Sequence, residues 1–313
     1  MLSRVASHLY WMSRYLERAE NMARILDVTQ SIAMLDPSAD AGGAMTPIVI
    51  TETQAEFAAT GLAPTYENVV AFLAWDRQHP SSIRNCLEAT RENARAVRGS
   101  ITSEMWENIN DTWIALQDRA RTTDPRLTGN EFFEWVKERS HLFRGITFAT
   151  ARRDQPYHFV RLGTFIERAD NTARILNVKY AQQDPEDFRE RPDQEGDYYR
   201  LSAVLRSVSA LEAYRDTYRD VIDGRRVAEL MIFDAKLPRS LRFCLEETSR
   251  VLEDLPADTG RIPRRKVAEL KARLRYGTID EVFAVGLKRY LADFLLDVYE
   301  LGNAVNAAYM ELH

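Results

Sequence analysis

The sequence predicts an all-α protein, a helical bundle built from two sequence-related halves around two central long helices. Three observations lead there. Apolar residues recur at spacings of three and four along most of the 313-residue chain, the mark of helices buried on one side. No stretch alternates apolar and polar residues with β-branched enrichment, as a half-buried strand would. The segment MSRYLERAENMARILDV at 12–28 returns 150 positions later as LGTFIERADNTARILNV at 162–178.

In chain order, the first helix runs from Ser3 to about Leu35, with Val5, Leu9, Met12, Leu16, Ala19, Ala23 and Leu26 in one stripe. Asp36-Pro37 stops it, and 36–64, with its Gly pair and small residues, reads as an irregular loop. Thr65–Trp75 is a short helix. Pro80, at a first helical position where its missing N–H is harmless, opens the next one, which runs to Gly99 as C-cap. Thr102–Arg121 is helical, with Met105, Ile109, Trp113 and Leu116 on one side. Thr128-x-x-Glu131 is a capping-box pattern that opens a helix to about Arg152. Pro156 opens the second long helix, to about Gln183, and the charged segment 184–196 is an exposed connection. Helices then cover Tyr198–Asp220, Arg226–Phe233, Pro238–Asp254, Arg264–Arg275 and Ile279–Leu312, the last opened by a Thr278-x-x-Glu281 capping box.

A second pair of segments carries the same duplication. AFLAWDRQHPSSIRNCLEA at 71–89 aligns with ELMIFDAKLPRSLRFCLEE at 229–247 at an offset of 158. Asp76, Pro80, Ser82, Arg84, Cys86 and Glu88 map onto Asp234, Pro238, Ser240, Arg242, Cys244 and Glu246. The chain therefore reads as one domain, 1–313, holding an internal repeat of 1–153 and 154–313. A unit whose helix is apolar on two sides cannot bury itself alone, so the two long helices are expected to pack together about a pseudo-twofold axis.

A net charge of −5 with no basic cluster argues against nucleic acid. Two cysteines exclude a disulfide framework, and Cys86 and Cys244 read as small core residues. No signal-peptide core and no bilayer-length apolar run appears, so a cytoplasmic protein without membrane contact is expected.

The candidate site lies on the repeated helix. At 100° per residue, Arg14, Glu17, Arg18 and Asn21 fall opposite the apolar stripe, with Arg24 at its edge. That opposite face also carries Tyr10, Ile25, Val28 and Ile32, so the charges are expected to be buried and paired. The second copy repeats the pattern with Glu167, Arg168, Asn171 and Arg174. Arg14–Glu17 and Glu17–Asn21 have within-helix spacing; Glu88, Glu246, Glu92 and Glu107 are the candidate partners across helices. Arg84, Arg91 and Glu92 support the cluster, which holds more Arg than Glu. Three readings follow: a buried network fixing helix register, a carboxylate or phosphate site, or acid–base catalysis by Glu17 or Glu167. The last is disfavoured, because a neighbouring Arg lowers a carboxyl pKa. Thr164 stands where the first copy has Arg14, so specific contacts belong more naturally to the first copy.

Other motifs are weaker. Glu138-x-x-His141 has the spacing of a di-iron ligand pair, but such a site needs two such pairs with two further carboxylates and the sequence offers one pair, so no metal is expected. No Gly-rich phosphate loop or nucleophile elbow is present, and no cofactor is expected. Ser81-Ser82 read as caps, the Trp residues mostly as core, and Trp106-Glu107 as placed to line a groove.

YLERAENMAR, FIERADNTAR, PSSIRNCLEATRENARAVRG with SEMWE after it, and PRSLRFCLEE together resemble the bacterial Alpha-E family, an all-helical domain named for its Glu-Arg motif. The resemblance spans essentially the whole chain; Thr164 departs from it, where family members carry Arg three residues before the Glu. It implies partners: a circularly permuted ATP-grasp ligase, with a transglutaminase-like cysteine peptidase and sometimes a proteasome-like one. The expected role is a non-catalytic accessory or substrate-handling subunit of an amide ligase system. The alternatives are a small-molecule enzyme using the Glu-Arg pair and a structural dimerisation module, which would make the chain a homodimer.

Overall fold

Helix α1 (Ser3–Leu35) forms at its expected bounds. From Leu16 to Leu26 every side chain is buried except Arg18, which is half-buried. The computed structural model describes residues 1–35, 41–122, 124–180, 195–256 and 258–311; all regular structure among them is helical.

The loop expected over 36–64 is largely helical instead. After 36–40, which lie outside the described residues, come α2 (Ala41–Ala44), α3 (Thr46–Ile50) and α4 (Gln54–Ala59). Ile48, Ile50 and Phe57 are buried. Tertiary burial of these three anchors, rather than local propensity, holds the short helices. Next, α5 (Tyr66–Val70) continues through one π turn, Ala71–Trp75, that ends at an extended Asp76.

Pro80 does not open a helix. The Asn85 amide nitrogen donates to the carbonyls of Asp76, Arg77 and His79, which closes 76–82 into a turn. Helix α6 (Ile83–Ala96) starts only at the Ser82 N-cap, whose Oγ accepts from the Asn85 N–H. Gly99 lies in a 3-10 turn, Arg98–Ser100, and caps nothing. Helix α7 is Ser103–Thr122 and α8 is Asn130–Thr150, with Gly129 as N-cap. The Thr128 capping box is absent because the hydroxyl accepts from the buried Trp75 Nε1 at 2.7 Å. Helices α6 and α8 both pack along α1.

Helix α9 (Gln155–Tyr180) is the second long helix. Its expected end near Gln183 and most of the 184–196 connection lie outside the described residues. The single helix expected over 198–220 is two, α10 (Glu195–Ser207) and α11 (Leu211–Tyr218), parted where Ser209 adopts φ 54°. Then follow α12 (Gly224–Phe233), α13 (Leu241–Asp254) and α14 (Arg261–Tyr276). The long terminal helix is also split, into α15 (Ile279–Val285) and α16 (Leu287–Tyr309), because Gly286 takes φ 94°. The Thr278–Glu281 capping box does form.

The chain divides into two compact units, Met1–Glu167 with Tyr309–His313, and Arg168–Ala308. The first has its core around Leu9, Met12, Leu26, Leu73, Ile83 and Phe133. The second is centred on Leu205, Met231, Leu241, Cys244, Phe294 and Leu301.

Local geometry recurs at aligned positions. Asp76 has φ −61° and ψ 125°, Asp234 φ −66° and ψ 127°. Ser240 caps α13 as Ser82 caps α6. The Thr90 hydroxyl donates to the Cys86 carbonyl, and that of Thr248 to Cys244, each at 2.8 Å. Replacing either cap by Ala should cost about 1 kcal/mol, read as a lower denaturant midpoint at unchanged slope. Both cysteines are free and buried, and burial pushes the Cys86 thiol up to about 12, which leaves it unreactive. Among the described residues no helix is long and apolar enough to cross a membrane.

Candidate functional site

The two long helices meet through small residues. A Cβ on Gly163 would stand 2.2 Å from Ser13 Oγ and 2.3 Å from the Tyr10 carbonyl oxygen, so α9 and α1 cross backbone to backbone there. Ser13 and Gly163 hold matching places in the similar segments 12–28 and 162–178. One helical turn on, Glu167 enters the space between Arg14 and Arg18. Its Oε2 accepts from Arg14 Nε at 2.7 Å, and its Oε1 from Arg18 Nε at 2.6 Å. Arg18 Nη2 adds a bond to Oε2 at 3.0 Å, so the Arg18 pair is bidentate. The Glu167 side chain is 6% exposed, those of Arg14 and Arg18 16% and 27%. Arg14 also donates to the buried Tyr10 hydroxyl and lies over the Trp11 ring, while Arg18 donates to Ser81 Oγ at 3.3 Å. Burial alone would raise the Glu167 pKa. The charges and hydrogen bonds of Arg18 and Arg14 outweigh it and bring the carboxyl down to about 2.

A second ladder joins α1 to α8. Glu17 and Glu20 are both fully buried, and Arg144 Nη1 donates to Glu17 Oε2 at 3.0 Å and pairs with Glu20 Oε2 at 2.5 Å. Glu20 also accepts from Arg24 Nε at 2.9 Å and from Ser140 Oγ at 2.7 Å. Arg24 continues to His141 Nε2 at 3.0 Å, and Lys137 bonds Asp27 at 2.8 Å one turn further. His141 is thus engaged in this ladder, and Glu138 is exposed. No group of three or more His, Cys, Asp or Glu able to hold a metal occurs among the described residues.

Arg14, Arg18 and Glu167 are therefore brought together, and Glu17 and Arg24 share the α8 ladder. Asn21 is buried beside them on α1. The other candidates lie elsewhere. Arg168, Asn171 and Arg174 belong to the second unit, where Arg168 donates to the Pro238 carbonyl at 3.2 Å and Arg174 pairs with Asp170 at 2.8 Å. Arg91 and Glu92 bond each other at 2.8 Å, with Asn110 and Arg95 as further partners. Arg84 is half-buried, and burial and the nearby Arg77 charge lower its pKa.

The expected partners across helices need correction. Glu88 and Glu107 are exposed, Glu92 serves Arg91 and Arg95, and Glu246 pairs with Arg242. Glu20, Ser140 and Arg144 were missed. The available signal was an acid at the same place in the two similar segments, Glu20 and Asp170, each four residues before an Arg. Of the five tryptophans only Trp75 is buried; Trp11, Trp106, Trp113 and Trp135 are half-buried, and Arg14, Arg98 and Arg119 lie over the rings of Trp11, Trp106 and Trp135.

The Glu-Arg pair thus decides how α1 is held. A family model described as a predicted alpha-helical domain with a conserved ER motif matches residues 1–310. The chain belongs to the Alpha-E family. Curated relatives include an uncharacterized protein of Mycobacterium bovis and uncharacterized proteins of two Mycobacterium tuberculosis strains, each 28% identical over 326 aligned residues. The alignment takes in 95% of this Alpha-E chain but 35% of each relative, so the chain spans about a third of their length. No solved structure matches.

Proposed function

We propose that this Alpha-E chain is a non-catalytic accessory or substrate-handling subunit of an ATP-grasp amide ligase system, binding the ligase or its peptide-like anionic substrate. The observation that supports it most is the state of the Glu-Arg centre. Two guanidiniums hold Glu167 ionised well below the usual carboxylate range, so it has no proton to give as a general acid. The length of the mycobacterial relatives agrees with a helical region working beside another domain. A transglutaminase-like peptidase is a further partner on the same reading. The duplication of one helical unit, 1–153 and 154–313, is part of it, supported by the matched caps and by the Arg24–Glu20 and Arg174–Asp170 pairs.

Tagged chain mixed at micromolar concentration with a circularly permuted ATP-grasp ligase of the same genome should retain the ligase; failure to retain it counts against the proposal. Glu17→Gln separates this reading from an enzymatic one. Loss of the charge facing Arg144 should cost on the order of 3 kcal/mol, and ligase retention should fall only with the folded fraction. Abolished activity at unchanged melting temperature would make Glu17 catalytic and overturn the proposal.

A further inference from the structure

Helices α7 and α8 leave an open groove of about 580 Å³ on the first unit. Its α7 wall is Glu104, Glu107 and Asp111, one turn apart and exposed, and none has an ion-pair partner among the described residues. Its α8 side is Leu142, Gly145, Ile146 and Ala149, with Leu142 43% exposed. Arg139 also lines it, leaving a net excess of acid. Gly145 is the informative residue. It sits inside a helix, where Gly costs about 1 kcal/mol relative to Ala. Yet a Cβ there would meet nothing within 4 Å. Nothing inside the chain needs the missing side chain; what it keeps clear is the groove.

The chain also carries a surface of matching chemistry. On α14, Arg261, Arg265, Ala268, Ala272 and Arg275 are all exposed and share one face at 100° per residue. Arginines flank two alanines spaced by four, as Gly145 and Ala149 are spaced by four on the groove floor. Arg261 and Arg275 have no ion-pair partner among the described residues, and Arg265 meets only Glu269, at 3.6 Å. Buried apolar residues Val267, Leu270 and Leu274 hold the opposite side of α14 in its own core.

We infer that the α7–α8 groove is occupied by α14 of a second copy of this chain. The alanine face lies over Gly145 and Ala149, where two backbones can approach closely, and the flanking arginines reach Glu104, Glu107 and Asp111. The contact joins the first unit of one copy to the second unit of another. Because the contact is ringed by exposed charge, it weakens as salt is raised.

Sedimentation velocity on the full chain, across the micromolar range at low and high salt, tests this. The wild type should move from monomer to dimer with concentration, less readily at high salt. Gly145→Leu fills the groove without touching the fold, and Arg265→Glu with Arg275→Glu reverses the docking face. Each should weaken association at least about tenfold, with melting temperatures as controls. Adding Glu104→Arg and Glu107→Arg to the reversed face should restore it. A wild type that stays monomeric throughout, or a dimer indifferent to both Gly145→Leu and the α14 reversal, overturns the inference. Ligase retention plays no part in this readout, so the two proposals fail separately.

Discussion

Gly163→Ala should destabilise the protein by about 3 kcal/mol or more, although Gly→Ala within a helix ordinarily stabilises. The added methyl would lie 2.2 Å from Ser13 Oγ and 2.3 Å from the Tyr10 carbonyl. Ser13 can be cut back, but the carbonyl belongs to the backbone of α1, so relief requires the helices to separate. Separation lengthens the bonds from Arg14 and Arg18 to Glu167, and the steric and electrostatic losses arrive together. Ser13→Gly combined with Gly163→Ala should therefore recover only part of the loss. Gly145→Ala is the internal control: the same substitution within α8, with open space at the Cβ, should stabilise by about 0.5–1 kcal/mol. Urea midpoints moving in opposite directions are the expected result. A Gly163→Ala midpoint within error of the wild type would mean that the helices do not cross there.

Glu167→Gln should cost a comparable amount, on the order of 3 kcal/mol, because an amide cannot offset two guanidiniums drawn out of water. Its pH dependence is the sharper test. The Glu167 pKa is about 2 in the folded chain against 4.5 for an unperturbed carboxyl. A depressed carboxyl stabilises fully above the unfolded value and loses that contribution as pH falls through the folded one. The gap between wild type and Glu167→Gln should thus be constant near neutrality, begin to close below about pH 4.5 and shrink towards pH 2. At about 1.4 kcal/mol per unit, the shift predicts a change of roughly 3 kcal/mol across that window. A gap that does not vary with pH would show that the ion pairs contribute nothing net.

Much of the helix inventory could be read without coordinates. The course of α1 followed from one apolar stripe, and the Thr278 cap from its Glu three residues on. The misreadings share a cause. Thr128 and Pro80 carried valid local signals, but Trp75 Nε1 claimed the first and the Asn85 amide closed a turn around the second. Ser209 carried no signal at all: a left-handed residue that is not Gly exists only because its surroundings hold it.

Two apolar stripes on one helix were enough to tell that the charges of α1 leave water, since a helix wet on neither side must bury what lies between. That follows from local order, because helical periodicity assigns each side chain a direction. Which charge meets which was settled only by tertiary packing. Arg14 and Arg18 found Glu167, and Glu17 and Glu20 found Arg144, because Gly163 lets α9 close onto α1 while α8 covers another flank. An ion pair depends on the inverse of a distance between two helices, and periodicity along either helix contains no such distance.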